Sequence, residues 1–397
     1  MRLGIMLRHI DQHEGGVKVY TRELLRVLIR MNPGHKLFLL FQEDSHIGEY
    51  AHAADVDAVV LNGGSRFYWD QVAVPRASKR LGLDVLFNPK YSIPLNAHCK
   101  TAWVCHGLDW YVMPQASRVI DRLNHKFLIP RYARKADAVL AVSETTREHV
   151  LQYLDVPPDR VHTVYLGLSE VFHLGSRNAD AQKLRERLQL PERFVLYCGA
   201  VYPPKNFRRL VQAYARVGPE MGVSLVIAGG TNRFLSEDDL HEPERLQLGT
   251  WVKRIGWLDN RELPALYQSA EALLLPSLYE SVGLPIIEAM ACGCPVVTAD
   301  RYGTKELGQG AAVLVNPDSV DDIAAGIRRV LTDEALRARI TEAGRERARD
   351  FTWERTAEET LRVLESLVAA PPAGISAPAP KRKPLRAASF SSGLGLF

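Results

Sequence analysis

The sequence predicts an α/β protein with two parallel sheets in tandem. Short apolar runs of strand length alternate with helix-length amphipathic segments along most of the chain, which is the pattern that βαβ units produce. The alternation breaks at a polar segment, 167–190, and restarts after it. The 397 residues, 46% hydrophobic and 24% charged, are too many for one ordinary core and enough for two.

In the first half the apolar runs are Leu3 to Leu7, Leu37 to Phe41, Ala58 to Leu61, Val85 to Phe87, Ala102 to Cys105, Ala138 to Val142 and Val161 to Tyr165. Each reads as a buried strand. Between the first two lies a helix over 17–31, whose Val17, Tyr20, Leu24, Val27, Leu28 and Met31 form one apolar face. The segment 167–190, which contains Gly175-Ser-Arg-Asn-Ala-Asp180, is expected to be a linker. After it come Phe194 to Cys198, Val223 to Ala228, Ala272 to Leu275, Pro295 to Thr298 and Ala312 to Val315, again separated by helical patterns. A last helical pattern covers 353–368, and the Pro/Ala/Ser-rich 371–397 reads as a disordered basic tail. The expected domains are therefore 1–166 and 191–352.

The net charge of +4 resides in that tail, where Lys381, Arg382, Lys383 and Arg386 stand without an acid. The rest of the chain is neutral overall, which argues against nucleic acid as a partner. Five cysteines, at 99, 105, 198, 292 and 294, are an odd and loosely spaced set, expected to be reduced thiols. The first apolar run ends at Arg8, too short for a signal peptide, and no stretch approaches the ~20 apolar residues of a membrane span. A cytoplasmic protein is expected. The stretch from Arg118 to Lys135 is basic and apolar, so it could lie on the inner face of an anionic membrane, as a peripheral contact, or serve as an ordinary core helix.

The most informative string is Leu275-Pro-Ser-Leu-Tyr-Glu-Ser-Val-Gly-Leu-Pro-Ile-Ile-Glu-Ala-Met-Ala-Cys-Gly-Cys-Pro-Val-Val-Thr298. Pro285 suits the first turn of a helix and Gly293 the position just past its end, so 284–292 reads as a short helix entered from a strand. Glu280 then sits in the loop at the strand's carboxyl end, and Glu288 one turn into the helix. Between them the N–H groups of Val282, Gly283 and Leu284 lack intrahelical acceptors, and the helix end carries about half a positive charge. That end attracts an anion, most often a phosphate. A ligand with its phosphate there would place hydroxylated groups beside both carboxylates, which accept hydrogen bonds from hydroxyls. Nucleotide sugars have a sugar on each side of a diphosphate.

Glu280-x7-Glu288 followed by Ala-x-Gly-x-Pro-Val-Val resembles the signature of the retaining glycosyltransferases of family 4, which have the GT-B fold of two Rossmann-like domains facing each other across a cleft. Gly15-Gly16-Val17 with Tyr20 and Leu24 resembles the family's N-terminal glycine loop, and Ala136 to Glu144 its last N-domain strand and helix. Pro203-Pro204-Lys205-Asn206 after Gly199 resembles the loop opening its C-terminal domain, and Ile255-Gly256-Trp257-Leu258 its nucleotide-base segment. The resemblance covers about 1–368 and implies that the 353–368 helix completes the first domain.

It also implies roles. Glu288 would bind the ribose hydroxyls and Glu280 the donor sugar. The backbone of Ser281, Val282, Gly283 and Leu284 would hold the diphosphate with Lys205 and Asn206, and Gly15 and Gly16 would close over it. Gly256, Trp257 and Leu258 would lie at the base, and His106 near the transferred sugar. The implied activity is transfer of a hexose, leaning to mannose, from a nucleotide diphosphosugar to a hydroxyl of a glycan, lipid-linked or small-molecule acceptor, with retention and with no metal or other cofactor. Many relatives have an arginine near Lys205, where this chain offers Ala200 and Pro204. That departure leaves open a catalytically silent protein that only binds a nucleotide sugar. Read as a cleft residue outside the core, Lys205 is expected to matter for turnover and little for stability. A glycosidase pair is disfavoured, because a phosphate-binding helix end separates the two glutamates. Asp55-Val-Asp57 has metal-site composition but precedes its strand, where a metal site at a sheet edge should follow it.

Overall fold

The computed structural model describes every residue except 12–15, 32–33, 51–54, 117–118, 175–177, 231–236 and 370–397. Gly15 and the 371–397 tail lie outside the described residues. The first sheet contains β1 (Arg2–Met6), β2 (Lys36–Phe41), β3 (Val56–Val60), β4 (Val85–Asn88), β5 (Lys100–Cys105), β6 (Ala138–Ala141) and β7 (Val161–Thr163). The second contains β8 (Phe194–Cys198), β9 (Ser224–Ala228), β10 (Val252–Gly256), β11 (Ala272–Leu275), β12 (Val296–Ala299) and β13 (Val313–Val315).

All neighbours in both sheets run parallel, in the orders β3-β2-β1-β4-β5-β6-β7 and β10-β9-β8-β11-β12-β13. Both orders reverse direction once, between β1 and β4 and between β8 and β11. Loops diverge at such a switch point and leave a crevice at the carboxyl ends of the strands, where ligands bind in open α/β sheets. The central strands are buried on both faces, with Leu3, Ile5, Val85, Phe87, Leu196 and Leu273 among the residues of no more than 0% exposure, which explains their uninterrupted apolar runs.

Six helices set the site: α1 (Gly16–Met31), α2 (Val119–Lys135), α3 (Glu144–Tyr153), α4 (Leu284–Ala291), α5 (Tyr302–Gly308) and α6 (Trp353–Ser366). The chain crosses between the sheets twice, side by side: Leu168 N–H donates to Phe351 O at 3.0 Å, and Leu168 bridges Thr352. Thr352 then caps α6 by accepting from Arg355 N–H. The helix returns to α1, where the rings of Trp353 and Tyr20 meet edge-on at 5.6 Å and Arg30 pairs with Glu354.

Two expectations change. The 167–190 segment is not an irregular linker: it contains helices Glu170–Leu174 and Asn178–Leu188, because Phe172 and Leu184 supply apolar anchors that its polar composition hides. The strand β10 was not anticipated, because Lys253 and Arg254 interrupt its apolar run at the sheet edge. Asp57 lies on the edge strand β3 and pairs with Lys36 at 2.9 Å. Among the described residues no three His, Cys, Asp or Glu side chains group as metal ligands, and no helix is long and apolar enough to cross a membrane. All five cysteines are free thiols.

Candidate active site

The loops after β8 and β11, the two strands flanking the second switch point, carry the central charges. After β8, Pro203–Lys205 forms a single 3-10 turn, and Asn206 takes a left-handed backbone, φ +59°. After β11, residues 276–283 lead into α4. Leu278 N–H donates to Pro204 O at 2.7 Å, joining the loops. The amide nitrogen of Asn206 donates to Pro276 O at 2.9 Å and Pro317 O at 2.7 Å, while its oxygen accepts from Arg209. With both amide atoms engaged, Asn206 braces the loops. Brought together in this way, Lys205 Nζ forms an ion pair with Glu280 Oε1, which also accepts from Ser277 Oγ at 3.0 Å. Lys205 is 8% exposed, a buried residue rather than a solvent-facing cleft lysine.

Gly283 is the N-cap of α4 at φ +95°, a backbone that disfavours any side chain, and no side chain caps the helix. Its positive end is therefore unclaimed by protein side chains, with Glu280 before it and Glu288 on its second turn. The Glu288 carboxylate accepts from Tyr267 O–H at 2.8 Å. Burial raises its pKa to about 7, against the lowering effects of Tyr267 and Lys205. Tyr267 is fully buried. Leu258 and Val282 have buried side chains in the main core, so Leu258 is a packing residue and Val282 offers only backbone. Trp257 is 73% exposed and, with Asp259, Asn260 and Arg261, faces Arg22 and Arg26 of α1 across a cavity of about 720 Å³.

On the N-terminal side, His106 follows β5. Its Nε2–H donates to Pro89 O at 2.7 Å, because a carbonyl can only accept, and this leaves Nδ1 as the ring's acceptor. Burial lowers its pKa to about 4, the Pro89 carbonyl opposing and Lys90 adding to that shift. The ring stands edge-on to Tyr20 at 4.9 Å. Gly16 opens α1, and a Cβ there would meet no described atom within 4 Å beyond its chain neighbours and its own helix backbone.

The two halves meet beside these residues. Gly107 has φ +137°, and a Cβ there would lie 2.9 Å from Ser281 Cβ, so only glycine permits the approach. Tyr279 O–H accepts from Leu108 N–H at 3.2 Å, and Ser143 Oγ donates to Ser281 O at 2.5 Å. Glu306 of α5 caps α3 from the other domain. It accepts from Glu144 N–H, Thr145 N–H and Thr145 Oγ1 at 2.8–2.9 Å and from Tyr165 O–H at 2.6 Å. Tyr279 and Glu306 were not anticipated, since one reads as a loop aromatic and the other as a surface acid on a short helix.

The sequence matches the Glycosyltransferase Family 4 pattern over residues 14–170 and the Glycosyl transferases group 1 pattern over residues 178–347. The chain belongs to the family 4, group 1 glycosyltransferases. This glycosyltransferase is 29% identical over 287 residues to the O-antigen chain mannosyltransferase B of Escherichia coli, which covers 67% of this chain and 74% of that one. It is 29% identical over 282 residues to the serotype-specific mannosyltransferase WbdA of Escherichia coli, covering 67% of this chain and 34% of that longer protein. The crystal structure of Anabaena HepE in complex with UDP and glucose superposes with a TM-score of 0.71 at 19% identity, covering 92% of this chain and 100% of that one. The fold is GT-B. The glycosyltransferase is thus a transferase enzyme that uses a nucleotide-sugar donor, and the catalytically silent reading falls away.

Proposed function

We propose that this glycosyltransferase is a retaining, metal-independent enzyme that moves mannose from a nucleotide diphosphosugar, GDP-mannose foremost, to a hydroxyl of a glycan, lipid-linked or small-molecule acceptor. The observation that carries the reading is the uncapped amino end of α4 set between Glu280 and Glu288, with Lys205 held against Glu280. The diphosphate takes the helix end and draws Lys205 away from Glu280, which frees that carboxylate to accept from hydroxyls of the donor sugar. Glu288 accepts from the ribose hydroxyls. Neutral His106 presents Nδ1 as an acceptor for a hydroxyl of the transferred sugar. Gly16 brings the opening of α1 over the diphosphate, and Trp257 offers a face to the base.

In the transfer, the bond between the anomeric carbon and the phosphate oxygen breaks, and the acceptor oxygen bonds that carbon on the same face. The acceptor proton passes to the departing phosphate oxygen. Lys205 and the α4 amino end stabilise the charge that develops there, the positions from which preorganised groups act most strongly. A cation from the protein at the diphosphate removes the need for a divalent metal. The mannosyltransferase names of the Escherichia coli relatives support mannose. The test is transfer from GDP-mannose and from UDP-glucose in the presence of EDTA, with the linkage configuration of the product read by NMR. An inverted linkage, or activity abolished by EDTA and restored by Mn²⁺, would overturn the mechanism. Preference for UDP-glucose would overturn the choice of donor alone.

A further inference from the structure

The switch point of the first sheet, between β1 and β4, leaves a crevice of the same kind as the one beside α4. The loops at its rim are basic. Arg8 follows β1, Lys90 follows β4, and Arg66 opens the short helix after β3. A π-helical turn, Trp69–Ala73, continues that helix and carries Asp70. Arg8 Nε stands 3.5 Å from Asp70 Oδ1, and Arg66 Nε 3.8 Å from Asp70 Oδ2. Both contacts exceed the roughly 2.7–3.2 Å of an N–H···O bond, so neither guanidinium is locked onto the carboxylate. The Lys90 loop is fixed through its backbone and its neighbours. Lys90 N–H donates to Asn88 Oδ1 at 3.0 Å, Asn88 Nδ2 donates to Ser92 Oγ at 3.1 Å, and Ser92 Oγ donates to Asp70 Oδ2 at 2.9 Å. Gln71 holds the end of the loop by donating to Ile93 O at 3.0 Å. These bonds preorganise the loop, which lowers the ordering cost of binding.

The field at Lys90 is positive. Burial lowers its pKa to about 8, and Arg66 and Arg8 lower it further, each outweighing the opposing pull of Asp70. Lys90 is still protonated at neutral pH. His9, beside Arg8, falls to about 3, through burial first and then through Lys90, His106 and Arg8. Both imidazoles, His9 and His106, are therefore neutral and leave the charge of the crevice to its three bases. The crevice also faces the reaction. Pro89, next to Lys90, is the residue whose carbonyl accepts from His106. Tyr91, on the other side of Lys90, meets the His106 ring edge-on at 6.2 Å and lies within electrostatic range of Tyr279 and Tyr202 of the C-terminal domain. An anion held by Lys90 thus leaves the hydroxyls of the same molecule beside His106.

We propose that this crevice recognises the acceptor by a phosphate: Arg8, Arg66 and Lys90 hold a phosphate carried by the acceptor sugar and select phosphorylated acceptors over neutral ones. The proposal rests on the glycosyltransferase reading above and narrows its acceptor. The phosphate takes no part in the transfer and serves to place the attacking hydroxyl. It suits three cations better than a carboxylate does, because it carries a second charge and an additional acceptor oxygen.

Calorimetric titration of the GDP-loaded full chain with inorganic phosphate, mannose 6-phosphate, mannose 1-phosphate, methyl mannoside and glucuronate tests it, since GDP already fills the phosphate site at α4. The phosphorylated probes should bind, and methyl mannoside should bind about 100-fold more weakly than the better phosphosugar. Preference for the 1-phosphate identifies an acceptor attached to a carrier through phosphate, and preference for the 6-phosphate a free sugar phosphate; either supports the proposal. Lys90→Gln should weaken phosphate binding by about tenfold, and the more exposed Arg66→Gln by about threefold, while Lys90→Arg restores most of the loss. Unchanged GDP affinity is the check that the variants fold. The tighter phosphosugar, and not inorganic phosphate, should speed release of nucleotide from GDP-mannose or UDP-glucose. No acceleration by either phosphosugar overturns the acceptor role. Equal affinity for methyl mannoside, tighter binding of glucuronate, phosphate binding insensitive to both Gln variants, or binding of no phosphate probe overturns the site. A chain that does not bind GDP would instead count against the donor reading, and phosphate binding that depends on Lys90 would still support the crevice.

Discussion

Replacing Glu288 by Gln should make the protein more stable and a poorer donor binder, and the stability gain should depend on pH. Burial raises this carboxyl from 4.5 to about 7, which sets about 3 kcal/mol against the ionised form. Because the folded value lies above the unfolded one, the proton on Glu288 contributes stability below about pH 4.5, and that contribution is lost as pH rises through about 7. A glutamine is neutral throughout and can still accept from Tyr267 O–H through its carbonyl. The two proteins should therefore match at about pH 4.5 and diverge above it, with the variant ahead by up to ~3 kcal/mol at about pH 8. Urea unfolding of both proteins across that range measures the gap. Calorimetric titration with GDP at the alkaline end should show the opposite sign, since an amide oxygen accepts from the ribose hydroxyls less strongly than a carboxylate. A gap that is constant with pH, or a variant less stable at every pH, would refute the assignment of a destabilised carboxylate. Unchanged nucleotide affinity would refute its place at the ribose.

Lys205→Ala should lower turnover by about 10²- to 10³-fold, roughly 2.7 to 4 kcal/mol of transition-state stabilisation. Contrary to what a solvated cleft lysine would show, it should also lower the melting temperature, because removing one partner of a buried pair commonly costs about 3–5 kcal/mol; a melting curve identical to wild type would count against the pair with Glu280. Asn206→Ala should reduce turnover through misplaced Lys205 while Asn206→Asp, which keeps an acceptor for Arg209 but loses both donated bonds, should not restore it; recovery by Asp would show that the brace is dispensable. Glu306→Ala removes the acceptor of four hydrogen bonds between the domains, so small-angle scattering of the nucleotide-free protein should show a larger radius of gyration, with Glu306→Gln intermediate. An unchanged radius would mean that Ser143, Tyr279 and the paired crossovers hold the domains without it.

What the sequence determined by itself follows from local periodicity and punctuation. The buried parallel strands declared themselves as continuous apolar runs, since a strand covered on both faces has no polar side to alternate with. Pro285 and the glycines around it marked α4, and the spacing of Glu280 and Glu288 placed two carboxylates at its amino end. The edge strand β10 escaped, because only one side of an edge is buried and charged residues can interrupt it. The 170–188 helices escaped because two anchors, Phe172 and Leu184, are too few to set a visible period.

Tertiary structure alone decided which groups meet. Lys205 and Glu280 are 75 residues apart in the chain, and they become a pair only because β8 and β11 are neighbours at the switch point. Asn206, in the same motif, became a brace because two carbonyls from distant loops, those of Pro276 and Pro317, reach its amide. The raised carboxyl of Glu288 depends on burial that no local pattern encodes and that outweighs the opposing hydrogen bond from Tyr267. Glu306 and Tyr279 find their partners across the interface, at separations of 162 and 171 residues. Periodicity reports which face of an element is apolar, and it is silent on which polar groups the folded chain will bring within hydrogen-bond distance.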